Sequence, residues 1–205
     1  VHYISLDALP AILFKKLFRY KIILYAIGSD ILRVQNVVQQ NFTKWAITEG
    51  DEVICVNKQI KDHIRKWYGG NATIVPTPFV RVKLKPYHGR KKYDVISVGA
   101  LIPPKNHQLL IRSAEYLHDC LTLAILGEGP LRSYLMNLAK EYPDNKVIFL
   151  GSIPHKKVWT ELQKARIYVH TSRLEGLPLS VLEAIWCNLP VVAITNPYTN
   201  DLVSL

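Results

Sequence analysis

Short apolar runs separated by polar, glycine-containing turns recur along the second part of the chain. From Asp94 onward, a strand, a turn and an amphipathic helix follow one another four times. Continuous apolar runs of this length are typical of strands that are buried on both faces of a parallel sheet. The alternation therefore predicts an α/β fold with a doubly wound parallel sheet. The predicted strands are DVISVG, LTLAIL, KVIFLG, RIYVHT and PVVAIT.

The predicted helices between these strands each carry apolar residues on one face. Ligands of doubly wound sheets bind beyond the carboxyl ends of the strands. In this chain Gly99, Gly127, Gly151 and the turn at 172–176 follow those ends, and we expect them to border a common crevice. The two clearest apolar stripes are Leu131, Leu135 and Leu138, and Val158, Leu162 and Ala165.

Residues 1–80 form a first predicted domain with shorter α/β units. Asn57 is the predicted N-cap of a helix that is expected to stop at Gly69. The polar, basic stretch 81–93 is the predicted linker to a second domain, 94–205. Strands are predicted for KIILYAI, DEVICVN and ATIVP, with a strand end in VHYISL, and helices for ALPAILFKKLFRY, for about 31–48 and for KQIKDHIRKWY.

One helix in the second domain carries a charge that needs a partner. Glu183 is the only charged residue between Pro178 and Asn188, and a helix that is apolar on nearly every side is normally buried. No lysine or arginine lies three or four residues away, so the partner must be another part of the fold or a ligand. Glu175 precedes Gly176 at the start of this helix, where exposed amides favour an anion. The alternative is an ordinary core helix whose one glutamate is satisfied by the protein.

Composition narrows the class of protein and of partner. The 205 residues are 49% apolar and 20% charged, which is typical of a folded soluble protein with a sizeable core. The formal net charge of +10 favours an anionic partner such as a nucleotide, a phospholipid surface or a nucleic acid. No uninterrupted apolar run reaches the roughly 18 residues needed to cross a bilayer. Cys55, Cys120 and Cys187 lie in apolar runs without close spacing, so buried thiols in a reducing compartment are expected.

The ordered motifs of the second domain resemble those of a known family. SVGALIPPKNHQLLI, LAILGEGPLRSYL, VIFLGSIPHKKV, HTSRLEGLPLSVLEA and LPVVA match the donor-binding domain of retaining glycosyltransferases of family 4 (group 1) over residues 94–203. YAIGSD and IVPTPF resemble pieces of that family's acceptor domain over about 1–86. The resemblance implies the GT-B fold, with Rossmann-like domains. It also implies transfer of a hexose from a nucleotide diphosphate sugar, with retention of the anomeric configuration and without a metal or other cofactor.

The resemblance implies a role for each residue that matches a family motif. Glu175 and Lys105 are the implied catalytic residues: Glu175 would contact the sugar and the developing positive charge at the anomeric carbon, and Lys105 would neutralise the diphosphate leaving group. Glu183 would accept hydrogen bonds from the ribose hydroxyls, and Gly99 would keep its turn open for the phosphate. The remaining implied donor-binding residues are Gly176, Leu177, Leu179 and Ser180 at the β-phosphate, and Glu128 and Ile153 at the base.

Several positions depart from the family pattern. Ala100 stands where the family commonly has a phosphate-binding arginine, which Lys105 cannot fully replace. Ile27 stands where a catalytic-site histidine is usual, and His2 lies near another family histidine position. Asn188 replaces a glycine after the glutamate helix, but asparagine tolerates the left-handed cap conformation. These departures, and the family segments missing at both ends, leave open a non-catalytic or partner-dependent nucleotide-sugar-binding protein.

Two other classes of protein fit the sequence less well. GEGPLR lacks the third glycine of the G-x-G-x-x-G fingerprint and lies in the second strand–helix unit, which disfavours a dinucleotide-binding oxidoreductase. Basic clusters at 15–21 and 81–92 lack interleaved stacking aromatics, which disfavours nucleic-acid binding. No known metal-binding motif is present, and the dispersed His107, His155 and His170 are expected at the surface or at strand ends rather than as metal ligands.

The helix LPAILFKKLFRY has an apolar body and a basic edge, a pattern that suits an anionic membrane surface. An ordinary half-buried helix with solvated lysines explains the pattern equally well. Many members of the family use lipid-linked acceptors. The resemblance therefore implies a glycan or lipid-linked acceptor, and a cytoplasmic protein that is peripheral at the inner membrane face if the helix binds lipid. The basic residues of this edge are Lys15, Lys16, Arg19 and Lys21.

Overall fold

The computed structural model describes residues 4–32, 36–79, 82–116 and 120–195. Internal contacts divide the chain into two units. The first contains the chain up to Pro78 together with Leu174–Leu177, and the second contains Phe79–Arg173 together with the segment that begins at Pro178. The sequence did not predict that Leu174–Leu177 would group with the first unit.

The first unit is built on a parallel sheet of three strands in the order β1–β2–β3. The predicted helix at about 31–48 is wrong in extent, because one helix begins only after Asn36, whose side chain accepts a hydrogen bond from the Gln39 amide at 2.7 Å. The elements are α1 (Leu9–Phe18), β1 (Ile23–Ala26), α2 (Ser29–Leu32), α3 (Val37–Glu49), β2 (Glu52–Cys55), α4 (Lys58–Tyr68) and β3 (Thr73–Ile74).

Helix α4 confirms both of its predicted end signals. The Asn57 side chain caps its start by accepting a hydrogen bond from the Ile60 amide at 2.9 Å. The helix ends at Gly69, which adopts φ 67° in the left-handed region. Its buried face, Ile60 and Ile64 with Tyr68 at the last turn, packs into the core of the first unit.

The second unit is built on a parallel sheet of five strands in the order β6–β5–β4–β7–β8, and all five predicted strands are confirmed. Strands β5 and β6 lie on one side of β4, and β7 and β8 lie on the other. Because the strand order reverses between β4 and β7, the turns that follow these two strands meet at the topological switch point. The elements are β4 (Tyr93–Val98), α5 (His107–Ser113), β5 (Thr122–Leu126), α6 (Arg132–Ala139), β6 (Lys146–Gly151), α7 (His155–Gln163), β7 (Ala165–His170), α8 (Leu179–Trp186) and β8 (Val191–Ala193).

The apolar stripes read from the sequence largely face the core of this unit. Leu135 and Leu138 of α6 are buried, as is Leu162 of α7. Ala165 is buried too, but it is the first residue of β7 rather than part of the preceding helix. Residues 82–92 form no helix or strand, and they are hydrogen-bonded to α7 and α8 through Lys85, Lys91 and Val82.

The structure corrects three further predictions about burial. Cys55 is a buried free thiol, but Cys120 is exposed and Cys187 is only partly buried. Helix α8 is not buried on every side, because Ile185 is 49% exposed and Leu179 and Trp186 are also exposed.

His2 lies outside the described residues. Within the described part of the chain, every helix is too short or too polar to cross a bilayer.

Candidate functional site

The turn after β4 brings together two of the predicted site residues, Gly99 and Lys105. The Gly99 amide donates to the Leu126 carbonyl at 3.0 Å, which fixes the turn to the end of β5. The chain then forms a short 3₁₀ turn, Pro103–Lys105. A Cβ on Gly99 would lie only 3.5 Å from Lys105 Cδ, so the partly buried lysine side chain passes over Gly99.

Hydrogen bonds connect this turn to the one that follows the neighbouring strand β7. Thr171 Oγ1 donates to the Lys105 carbonyl at 2.9 Å, and Ser172 Oγ donates to the Pro104 carbonyl at 3.2 Å. The Arg173 amide donates to the same Pro104 carbonyl at 2.8 Å. Thr171 and Ser172 are buried, so the backbone that carries Lys105 is held from inside the unit. No role was predicted for either hydroxyl from the sequence, although both residues precede the predicted glutamate motif.

Helix α8 carries three of the predicted donor-binding residues, Leu179, Ser180 and Glu183. Glu183 is 6% exposed, and its Oε1 lies 2.5 Å from His155 Nε2 at the start of α7. The partner that the sequence required is therefore, in part, a protein side chain. At the start of α8, the buried Tyr168 hydroxyl donates to Ser180 Oγ at 2.8 Å. Leu179, the first residue of the helix, is exposed, and no side chain caps the helix start.

The turns after β5 and β6 contain the two residues that were expected to border a nucleotide base. Glu128 is exposed and forms an ion pair with Arg132 at 2.9 Å, so it is paired within the protein. Ile153 is partly buried in the turn between β6 and α7. Gly127, with φ 147°, lies so close to the Gly99 carbonyl that a Cβ there would overlap it. The turns after β4 and β5 are therefore in direct contact at their glycines.

His107 is a buried residue at the start of α5, and not a residue at the surface or at a strand end as the sequence predicted. Its Nδ1 lies 3.4 Å from Ser97 Oγ, whereas its buried Nε2 makes no hydrogen bond within the described residues. Burial lowers the pKa of His107 to about 4, even though the nearby backbone of Gly99 favours the protonated ring. The ring is neutral at pH 7 and lies beside Gly99, at 3.6 Å from the position of an added Cβ. His170 is also buried, at the end of β7 where it was expected.

The segment Leu174–Leu177 makes its own contacts within the first unit. The Asn57 side-chain amide donates to the Gly176 carbonyl at 2.6 Å. Gly176 also lies against the Ile27 carbonyl, where a Cβ would not fit. Ile27 replaces the histidine of the family pattern, and its amide donates to Asp30. The roles expected for Glu175, Gly176 and Leu177 stay predictions.

The fold and these turns define the class of protein. The second unit, a parallel sheet of five strands, is a Rossmann-like domain, and the fold is that of the GT-B glycosyltransferases. Residues 82–204 match the family described as Glycosyl transferases group 1, and the chain belongs to this family.

Individual relatives agree with this family. The chain is 26% identical over 168 residues to an uncharacterised glycosyltransferase of Methanocaldococcus jannaschii, covering 81% of this chain and 46% of the relative. It is 27% identical over 164 residues to the GPI3 subunit of phosphatidylinositol N-acetylglucosaminyltransferase of Saccharomyces cerevisiae, covering 72% and 36%. The crystal structure of Anabaena HepE in complex with UDP-glucose superposes with a TM-score of 0.83 at 18% identity, covering 98% and 61%. The chain thus spans less than half the length of the two curated relatives.

Proposed function

We propose that the chain binds a nucleotide diphosphate sugar and that its hexose is transferred to a glycan or lipid-linked acceptor with retention of the anomeric configuration. The observation that carries the proposal is the presence, in one unit of a group 1 glycosyltransferase, of the Gly99–Lys105 turn and the buried Glu183. A cation and uncapped helix amides suit a diphosphate, whereas a buried carboxylate suits a pair of hydroxyl donors.

Each part of the donor meets a different element in this proposal. Lys105 neutralises the diphosphate that leaves, and Gly99 allows the phosphate to approach the backbone of its turn. Glu183 accepts hydrogen bonds from the ribose hydroxyls. The amides of Leu179 and Ser180 face the β-phosphate at the start of α8. The turns of Glu128 and Ile153 border the base.

The chemical step follows from charge development at the anomeric carbon. The bond between the anomeric carbon and the diphosphate oxygen breaks, and the acceptor oxygen bonds to that carbon on the same face, so the configuration is retained. The proton of the acceptor hydroxyl passes to the departing diphosphate. Glu175 stabilises the positive charge that develops on the sugar. The amides of Gly176 and Leu177 face the β-phosphate. Lys105 and the helix amides carry the negative charge of the leaving group, so the proposed reaction needs no metal ion or other cofactor.

A ligand screen tests donor binding before any acceptor is known. UDP-, GDP- and ADP-sugars are compared by thermal shift, because a ligand that binds only the native protein raises its melting temperature. Calorimetry then gives Kd for the best ligand.

We expect Lys105→Ala to weaken binding about tenfold to a hundredfold, since it removes a charge-assisted contact. Lys140→Ala is the matched control, because Lys140 is the exposed C-cap residue of α6 and is not part of the proposed site. Equal effects of the two substitutions, or no stabilising nucleotide, would contradict the proposal.

The second candidate is a nucleotide-sugar-binding protein that depends on a partner or does not turn over. Ala100 and Ile27 favour it, because neither can supply the phosphate contact or the histidine of the family pattern. One relative is itself named as a subunit, and the chain covers 36% of that relative. Hydrolysis and transfer assays on the purified chain discriminate the candidates. Turnover that is lost in Glu175→Ala supports the enzyme, whereas tight binding without turnover supports the alternative.

An anionic membrane surface is a further proposed partner, through helix α1. Its Ile12 is buried, but four large apolar residues on the same helix are each at least 49% exposed. Arg19 and Lys21 are exposed beside them, so an apolar face adjoins positive charge, as in helices that lie on anionic bilayers. Lys15 is not available for lipid, because it pairs with Asp51 at 2.9 Å. The exposed residues are Leu13 (60%), Phe14 (49%), Leu17 (69%) and Phe18 (66%).

Vesicle sedimentation tests this partner. The protein is mixed with phosphatidylcholine vesicles with and without phosphatidylserine. We expect anionic vesicles to bind more protein, Leu17→Ser to reduce binding to both, and Arg19→Gln to reduce only the anionic preference. Binding without anionic preference, or no binding, would leave α1 as a half-buried helix with solvated basic residues.

A further inference from the structure

The contact between Glu183 and His155 joins a buried carboxylate to an exposed ring. Glu183 lies on α8 with 8% of its side chain exposed, whereas the His155 side chain at the start of α7 is 70% exposed. Their closest atoms, Glu183 Oε1 and His155 Nε2, are 2.5 Å apart. In this contact the carboxylate oxygen accepts and the imidazole of His155 donates from Nε2. The donor-binding proposal gives a function to Glu183 but none to its partner.

The imidazole of His155 is held from a second direction. Its ring meets the ring of Trp159, one turn further along α7, edge-on at 5.9 Å and 67°. Trp159 is 4% exposed and contacts Phe79 at 5.9 Å, so it is fixed in the core of the second unit. An aromatic contact on one side and a carboxylate on the other give the exposed ring a defined orientation. The His155 ring is therefore oriented by contacts on two sides.

The hydrogen bond uses only part of the acceptor capacity of Glu183. A carboxylate has about four acceptor positions, and His155 occupies one of them on Oε1. The remaining positions of a charged Glu183 can accept two hydroxyl donors at the same time as His155.

We propose that His155 is a positioning residue that orients the Glu183 carboxylate for the hydroxyl groups of the nucleotide ribose. The proposal rests on the donor-binding function proposed above. By holding Oε1, the imidazole selects one rotamer of Glu183 and directs Oε2 toward the ligand. Ribose recognition therefore depends on a side chain that does not itself touch the donor.

The test compares one nucleotide with and without its ribose hydroxyls. Calorimetry measures Kd for UDP and for 2′,3′-dideoxy-UDP with the wild type, His155→Ala and His155→Gln; GDP or ADP and their dideoxy forms replace them if the ligand screen selects that base. Glutamine can place an amide donor near the position of Nε2, whereas alanine cannot. Lys156→Ala is the matched control, since Lys156 is the exposed neighbour on the same helix turn.

The expected result is a specific loss of ribose recognition. The wild type and Lys156→Ala should bind the dideoxy nucleotide about tenfold to a hundredfold more weakly than the parent nucleotide. His155→Ala should bind the parent nucleotide about tenfold more weakly than the wild type does. In this variant the dideoxy nucleotide should bind less than about threefold more weakly than the parent nucleotide. His155→Gln should restore most of the discrimination. A merely structural role would weaken both nucleotides equally.

The outcomes separate this inference from the function on which it rests. An unchanged dideoxy penalty in His155→Ala overturns the inference and leaves donor binding intact. Tighter binding of the parent nucleotide by His155→Ala also overturns it, because His155 would then compete with the ligand for Glu183. If no nucleotide binds the wild type, the proposed function itself fails. Circular dichroism of each variant checks folding, and His155→Gln keeps the test decisive if His155→Ala is unstable.

Discussion

Substitution of Asn57 should weaken two structures at once, because each end of its side-chain amide has a different partner. Oδ1 accepts from the Ile60 amide at 2.9 Å and caps α4, whereas Nδ2 donates to the Gly176 carbonyl at 2.6 Å. Asn57→Ala removes both contacts. Asn57→Asp keeps the cap, since aspartate caps helices as well as asparagine does, but it offers the Gly176 carbonyl no donor.

The free energies of unfolding of the two variants should therefore differ by about the contribution of one helix cap. Loss of a cap costs about 1 kcal/mol, and loss of a hydrogen bond to a side chain that is only 9% exposed costs about 1 kcal/mol more. We expect Asn57→Ala to lower the free energy of unfolding by about 2 kcal/mol, and Asn57→Asp by about 1 kcal/mol. Urea unfolding followed by circular dichroism measures both values.

Proteolysis tests the hydrogen bond to Gly176 separately from the cap of α4. Trypsin cleaves after Arg173, next to the segment Leu174–Leu177, and both Asn57 variants should be cleaved there faster than the wild type. Asn36→Ala is the control, because Asn36 caps α3 at an exposed site and should cost about 1 kcal/mol without changing this cleavage. Equal stability of Asn57→Ala and Asn57→Asp would refute the cap, and unchanged cleavage would refute the Gly176 contact.

Four further predictions concern the second unit and the proposed reaction. Gly127→Ala should lower the free energy of unfolding by about 1–3 kcal/mol, because a Cβ at φ 147° would overlap the Gly99 carbonyl, and calorimetric melting checks this. Gly99→Ala should change stability by less than about 0.5 kcal/mol, since its Cβ has ordinary contacts, but it should raise Kd for the nucleotide sugar. Stability should fall by no more than about 3 kcal/mol between pH 6.5 and 4, because the unfolded chain protonates His107 at its ordinary pKa while the folded chain holds it neutral to about 4. Urea unfolding of His107→Gln should show a flatter pH dependence. Transfer activity, once an acceptor is found, should survive EDTA, and a metal requirement would contradict the proposed mechanism.

The parts of the fold that local signals determine could be predicted from the sequence. Helix α4 begins after Asn57 and ends at Gly69 as expected, because a cap and a left-handed glycine act within a few residues. The five strands of the second unit follow from apolar runs that only a doubly covered sheet can bury. Asn188 adopts φ 55°, as its place after α8 required.

Contacts between distant residues could not be predicted in the same way. The sequence predicted His107 at the surface or at a strand end, but tertiary packing buries it against the turn at Gly99. It assigned Asn57 one hydrogen bond, and the second, to Gly176, joins residues 119 positions apart. Cys120 lies in an apolar run and is nevertheless exposed. In each case the local pattern is compatible with several environments, and only the arrangement of the elements selects one.

The sequence predicted that Glu183 has a partner, but it did not predict which residue that partner is. The absence of a lysine or arginine within one helical turn correctly required a partner elsewhere in the fold or in a ligand. The structure supplies His155, from 28 positions earlier in the chain. A lysine or arginine there would present three to five donors and a permanent charge, and would hold the carboxylate against any ligand. An imidazole presents one donor to the carboxylate, so acceptor positions remain for a diol. A histidine partner therefore reconciles the burial of Glu183 within the protein with the ribose contact that we propose for it.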